Sequence, residues 1–124
     1  MTEVLSSYRN SLLRFKEILQ LKKTIVHRDA AIKRFEFTVE LGWKCLQEFL
    51  KEQGIQCRSP KECLRAAFKL GLVRDDERWL QMIAERNLTV HTYNEQTAEE
   101  VYSRLPNYVE LFDELEKGLS GRHH

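Results

Sequence analysis

Residues 29–53, DAAIKRFEFTVELGWKCLQEFLKEQ, decide the fold. At about 100° per residue, Ile32, Phe35, Val39, Gly42, Trp43, Leu46, Phe49 and Leu50 fall on one broad face, as in a helix packed on a core. Asp29 near the start and Gly54 just past the end supply N- and C-terminal signals, so the spacing predicts a helix over about 29–53. Phe37, Leu41 and Cys45 lie well away from the main face. A helix that is apolar on two sides has to bury both, deep in its own bundle or against another chain. The residues leave both options open. Glu36 and Glu40 form a like-charge i,i+4 pair, read as a solvated face unless basic residues elsewhere reach them.

Outward from this stretch the chain keeps a helical period. Upstream, Val4, Tyr8, Leu12, Phe15 and Leu19 make one stripe over residues 3–23, and the β-branched run Thr24-Ile25-Val26 marks a break. Downstream, Ser59-Pro60-Lys61-Glu62 starts a short helix that Gly71 ends, and Asp75 or Asp76 caps a fourth helix carrying Trp79, Leu80, Met82 and Ile83. Thr97-Ala98-Glu99-Glu100 reads as a capping box for the last helix, with Val101, Leu105, Tyr108, Phe112, Leu115 and Leu119 in register. That register passes through Pro106, which predicts one kinked helix rather than two. No period-two alternation and no internal repeat occur. The expectation is an all-α bundle of four main helices with a short extra one, a single domain over residues 1–119. Residues 120–124, ending in His123-His124, read as a disordered tail or tag remnant.

Composition narrows the function classes. At 124 residues, 42% apolar and 31% charged, the chain suits one globular domain. A net charge of +1 carries no bulk nucleic-acid signal. Charge is uneven: Arg14–Arg34 holds seven Lys/Arg against two acids, and Asn94–Gly118 holds seven acids against two bases. Solvated faces account for both runs in the simplest reading. Cys45, Cys57 and Cys63 lack C-x-x-C spacing, so neither a zinc site nor a disulfide framework is indicated. Reduced thiols in a cytoplasmic protein are expected, with no membrane segment.

Chemistry concentrates at residues 86–93, RNLTVHTY. On a continuous helix Arg86 and His91 would diverge by roughly 140°. They can share a substrate only if the helix ends between them, and Asn87, Thr89, Val90 and Asn94 are weak helix formers that fit such an ending. A guanidinium beside an imidazole suits a phosphodiester: the first holds non-bridging oxygens, the second moves a proton near neutral pH. No metal or other cofactor is needed. Alone, the pattern is more often that of residues capping carbonyls at a helix end or pairing with acids, and Tyr93 could simply close the bundle.

Arg86-x4-His91-x-Tyr93 resembles the R-x4-H-x-Y motif of the HEPN superfamily, specifically its HepT-like proteins. Residues 34–50, RFEFTVELGWKCLQEFL, resemble the F-E-x-x-x-E-x-x-W-K segment of the nucleotidyltransferase substrate-binding protein family. Together the two extend the resemblance to nearly the whole chain. It implies an up-and-down four-helix bundle that forms a homodimer, or a 2:2 heterotetramer with a small (minimal, MNT-type) nucleotidyltransferase. It further implies a metal-independent ribonuclease site acting on RNA, such as tRNA, in a toxin–antitoxin pair. Arg86 would then stabilise the phosphate, His91 would act as general acid or base, and Tyr93 would accept AMP from the partner. The alternative within the same resemblance is a non-catalytic subunit that presents a nucleotide to the nucleotidyltransferase.

Overall fold

The computed structural model describes residues 2–121. Its α-helices are α1 (Thr2–Gln20), α2 (Ile25–Glu52), α3 (Pro60–Lys69), α4 (Arg78–Leu88), α5 (Glu95–Arg104) and α6 (Val109–Gly121), with no strand among the described residues. Cross-helix partners give the topology. Tyr8, Ser11 and Phe15 of α1 meet Gly42, Thr38 and Phe35 of α2, so these two run antiparallel. Arg78 and Glu85 of α4 meet Glu110 and Arg104, again antiparallel. Phe35 and Gly42 meet Tyr108 and Leu115, so α2 runs with α5 and α6. The result is the expected up-and-down bundle, with α3 as its extra helix.

Aromatic side chains fill the centre. Phe15, Phe35, Phe112 and Tyr108 pack ring to ring at 5.5–6.1 Å, mostly tilted or edge-on, where the ring quadrupoles attract. The buried Tyr8 hydroxyl donates to the Phe112 carbonyl at 2.7 Å, and the Ser11 and Thr38 hydroxyls pair at 2.8 Å. These bonds satisfy polar groups that would otherwise be costly to bury. Close approach needs small residues: a Cβ on Gly42 would lie 3.1 Å from the Tyr8 ring, and one on Gly118 would lie 2.6 Å from the Leu72 carbonyl oxygen.

Several helix ends differ from expectation. α2 begins at Ile25 rather than Asp29, because the Thr24 hydroxyl accepts the His27 N–H at 2.9 Å and caps the turn that its β-branched neighbours suggested would break. α5 begins at Glu95, capped by Asn94 accepting from Thr97 N–H at 3.0 Å, so Thr97 is the receiver of a cap and not its source. The Ser59 cap with Pro60 behind it forms as read, and the Asp76 carboxylate accepts the Arg78 N–H at 2.9 Å. Around Pro106 the chain stays helical but tightens into a 3-10 segment, Leu105–Tyr108, between α5 and α6. Proline removes one ladder donor there, and the tighter turn absorbs the loss. Ser120 and Gly121, expected in the tail, belong to α6: the Ser120 hydroxyl donates to Glu116 at 2.7 Å and accepts from Arg9. The rest of that tail, residues 122–124, lies outside the described residues.

The cysteine expectation fails in part. Cys57 and Cys63 form a disulfide, with Cα atoms 5.3 Å apart, while Cys45 is free and buried. The pair lies six positions apart in sequence, but the capped first turn of α3 folds Cys63 back under the loop that carries Cys57. The second apolar face of α2 divides: Cys45 is buried within the bundle, Leu41 packs partly on the core, and Phe37 stays 40% exposed under the cations of Lys33 and Arg34. Burial pushes the Cys45 thiol up to about 12. None of the described helices is long and apolar enough to cross a membrane.

Candidate functional site

α4 stops where the motif needs it to. Its last residue is Leu88, and Thr89–His91 form a 3-10 turn. Two threonine hydroxyls complete the ending: Thr89 donates to the Arg86 carbonyl at 2.6 Å and Thr92 to the Thr89 carbonyl at 2.8 Å. Asn94 N–H then donates to the His91 carbonyl at 3.1 Å, and its side chain caps α5. These local bonds fix the turn, in which Thr89 is buried and Val90 and His91 are exposed.

The three motif side chains separate into two groups. Arg86, about one-third exposed, donates from Nη2 to Glu40 Oε1 on α2. His91 and Tyr93 sit on the turn beyond, rings edge-on at 6.2 Å, with Tyr93 82% exposed. Among the described residues no hydrogen bond joins Arg86 to His91. The helix break is present, but the guanidinium is engaged by Glu40, whose sequence pattern suggested a solvated face. Glu36, its neighbour one turn earlier, pairs with Lys33 at 3.1 Å. Each member of the like-charge pair has found a cation, which offsets the repulsion.

Beside the Arg86–Glu40 pair lies a groove of about 300 Å³ between α2 and α4, walled by Val39, Trp43, Pro60 and Ile83 and edged by Lys44 and Asn87. Its walls are largely apolar, with Arg86, Glu40 and Lys44 as the charged groups among the lining residues.

Two further groups set the site's frame. Glu85, 3% exposed, takes Arg104 in a fork (Nε at 2.7 Å, Nη2 at 2.8 Å) and the Tyr108 hydroxyl at 2.8 Å. The bond to Glu85 raises the Arg104 guanidinium further above its ordinary value; burial first, then the same carboxylate, raises the Tyr108 phenol. This clamp ties α4 to α5 one residue before Arg86. At the other side of the turn, buried Arg28 pairs with Glu95 at 2.8 Å and Asp29 at 2.9 Å, locking the start of α2 to the start of α5. Glu85 carried a visible signal: it follows Trp79 and Met82 at i+6 and i+3 on the buried face of α4. A charge in that register needs a partner.

The model of the family described as "Nucleotidyltransferase substrate binding protein like" matches residues 3–121. The chain belongs to this family. Among its relatives is the "Probable ribonuclease HepT" of Haemophilus influenzae, 32% identical over 84 residues, with 64% of this chain and 58% of that protein covered. The matched region thus spans somewhat more than half of that relative's length. A crystallised protein from Thermus thermophilus superposes with a TM-score of 0.83 at 43% identity, covering 90% of this chain and 98% of the other. HI0074 from Haemophilus influenzae, described as having the fold of a substrate binding domain of a nucleotidyltransferase, superposes with a TM-score of 0.72 at 25% identity, with 96% of each chain covered. The family model, the HepT relative and the substrate-binding-domain fold together support the HepT-like resemblance carried by the two motif segments.

Proposed function

We propose that this family member is the HEPN subunit of a two-component system and cuts RNA without a metal. Arg86 would hold the non-bridging oxygens of the scissile phosphate. His91 would take the proton of the ribose 2′-hydroxyl as it attacks phosphorus, or protonate the departing 5′-oxygen; the products are a 2′,3′-cyclic phosphate and a free 5′-hydroxyl. The observation that carries this reading is the helix end between Arg86 and His91, built by Thr89 and Thr92, which frees the imidazole from the helical path of the arginine. The exposed His91 and Tyr93 rings, with Leu88 and Val90 also exposed beside them, suit a site completed by a second copy of the chain in a homodimer. A partner nucleotidyltransferase would silence it by adding AMP to Tyr93.

One observation favours a second reading, the non-catalytic subunit that presents a nucleotide to the nucleotidyltransferase: Glu40 already occupies Arg86. A phosphate would have to displace that carboxylate before the cation could act. Incubating the purified chain with tRNA and total RNA separates the two. Cleavage that falls by about 100-fold or more in His91→Ala is the expected result; cleavage equal in the variant, or none by the wild type, supports the presenting subunit instead.

A further inference from the structure

Cations on this molecule are not distributed alike. Along α1, the first half of α2, α4 and α5, most arginines and lysines lie within ion-pair distance of a carboxylate. From the second half of α2 through α3 the pattern changes. Lys44, Lys51, Arg58, Lys61, Arg65 and Lys69 are all exposed, and none has a carboxylate in ion-pair range among the described residues. The acids in that span are Glu40, Glu48, Glu52 and Glu62; Glu40 holds Arg86, and Glu62 is engaged at the start of α3, accepting the Arg58 N–H at 3.0 Å.

Three of these cations are ordered by the helix itself. Lys61, Arg65 and Lys69 recur every four residues along α3, opposite Cys63, Leu64 and Ala67, which face the core. They make a stripe about 12 Å long, with successive charges about 6 Å apart along the axis. The stripe begins where the candidate site ends: Pro60, the first residue of α3, lines the same groove as Arg86, Lys44 and Trp43. The half-buried Trp43 indole beside unpaired Lys44 offers a base a face to stack on while the charges follow the backbone.

We infer that a single RNA strand, leaving the scissile phosphate at Arg86, crosses this groove past Trp43 and Lys44 and runs along Lys61, Arg65 and Lys69. The inference rests on the ribonuclease function proposed above. A regular row of unpaired charges continuous with a partly apolar groove fits a strand of alternating phosphates and bases better than a folded acidic surface.

The test measures fluorescence anisotropy of a short, mixed-sequence, fluorescein-labelled single-stranded RNA over a salt series. The full-length His91→Ala chain keeps the probe intact. Adding Lys61→Gln, Arg65→Gln and Lys69→Gln together raises Kd by about tenfold or more and makes the log Kd against log salt slope shallower by about 2, since each single-strand phosphate contact contributes about 0.7. The charge-preserving combination Lys61→Arg, Arg65→Lys and Lys69→Arg restores binding, and Lys117→Gln, an exposed cation elsewhere, leaves it unchanged. If the glutamine triple keeps both affinity and slope while the His91-intact chain cuts RNA, the track is wrong and the ribonuclease stands. If the wild type neither binds nor cuts RNA, both fail together. If the triple keeps its RNA affinity but no longer assembles with the nucleotidyltransferase, the stripe is a protein-docking surface and the inference is overturned.

Discussion

Tyr93 holds its ring out in solvent with one edge toward His91, so its hydroxyl can reach an enzyme that the buried Tyr8 and Tyr108 hydroxyls cannot. Attack of that oxygen on the α-phosphorus of ATP would release pyrophosphate and leave an AMP ester on the ring. The new anion and its nucleoside would then stand beside the imidazole and compete with RNA for the same cations. Incubation with the partner nucleotidyltransferase and ATP should add one AMP to the intact mass, and Tyr93→Phe should abolish the gain while still cutting RNA. A gain that persists in Tyr93→Phe would place the modification elsewhere. Arg86, His91 and Tyr93 were legible in the sequence as candidates because they sit within one short, weakly helical run. Glu40 was not, since its bond to Arg86 spans 46 residues and depends on how α2 crosses α4. Glu85 lay between these cases, visible as a charge in an apolar register but with partners on a helix still to come.

At the level of elements, contact between α6 and the turn after α3 is set by Gly118. A methyl there would press on the Leu72 carbonyl oxygen, a backbone atom that cannot swing aside. Alanine is the better helix former by about 1 kcal/mol, yet Gly118→Ala is expected to lower stability by about 1–3 kcal/mol as α6 or the turn shifts. Urea unfolding decides it, and an unchanged or higher midpoint would mean the turn yields freely. Helix number and core faces followed from periodicity, because burial selects the side chains that repeat every three or four residues. Helix starts were harder. Thr24 and Asn94 cap through one side-chain oxygen each, and neighbours such as Asp29 and Thr97 offer the same chemistry to a reader of the sequence. The Cys57–Cys63 bond depends on how a loop returns over a helix, which spacing alone does not encode.

Across the whole molecule, ion pairs stitch helix to helix. The Arg78 side chain holds the Asp76 carboxyl below its ordinary value, Arg28 does the same for Glu95, and the Ser120 hydroxyl, then Arg9, for Glu116. A carboxyl with a depressed folded value contributes stability that is fully present above its unfolded value, about 4. That stability is lost as pH falls through the lower folded value. The urea midpoint should therefore hold steady from about pH 7 to 5 and drop below about pH 4. A midpoint as high at about pH 3 as at neutrality would show that these pairs add nothing, as is common for solvent-exposed bridges.

The alternation of helix directions also gives the molecule two poles. Arg9 near the start of α1 grips Glu116 and Ser120 near the end of α6, so both ends of the described chain emerge together. The turn bearing His91 and Tyr93 lies at the opposite pole, beside the start of α2, where Arg28 holds Glu95. With α2 alone 28 residues long, about 42 Å, the two poles are a full bundle length apart. A reporter, an affinity handle or a fused second subunit attached at either end would ride far from the motif turn. The same geometry lets the bundle be tethered to a surface by its ends while presenting that turn outward.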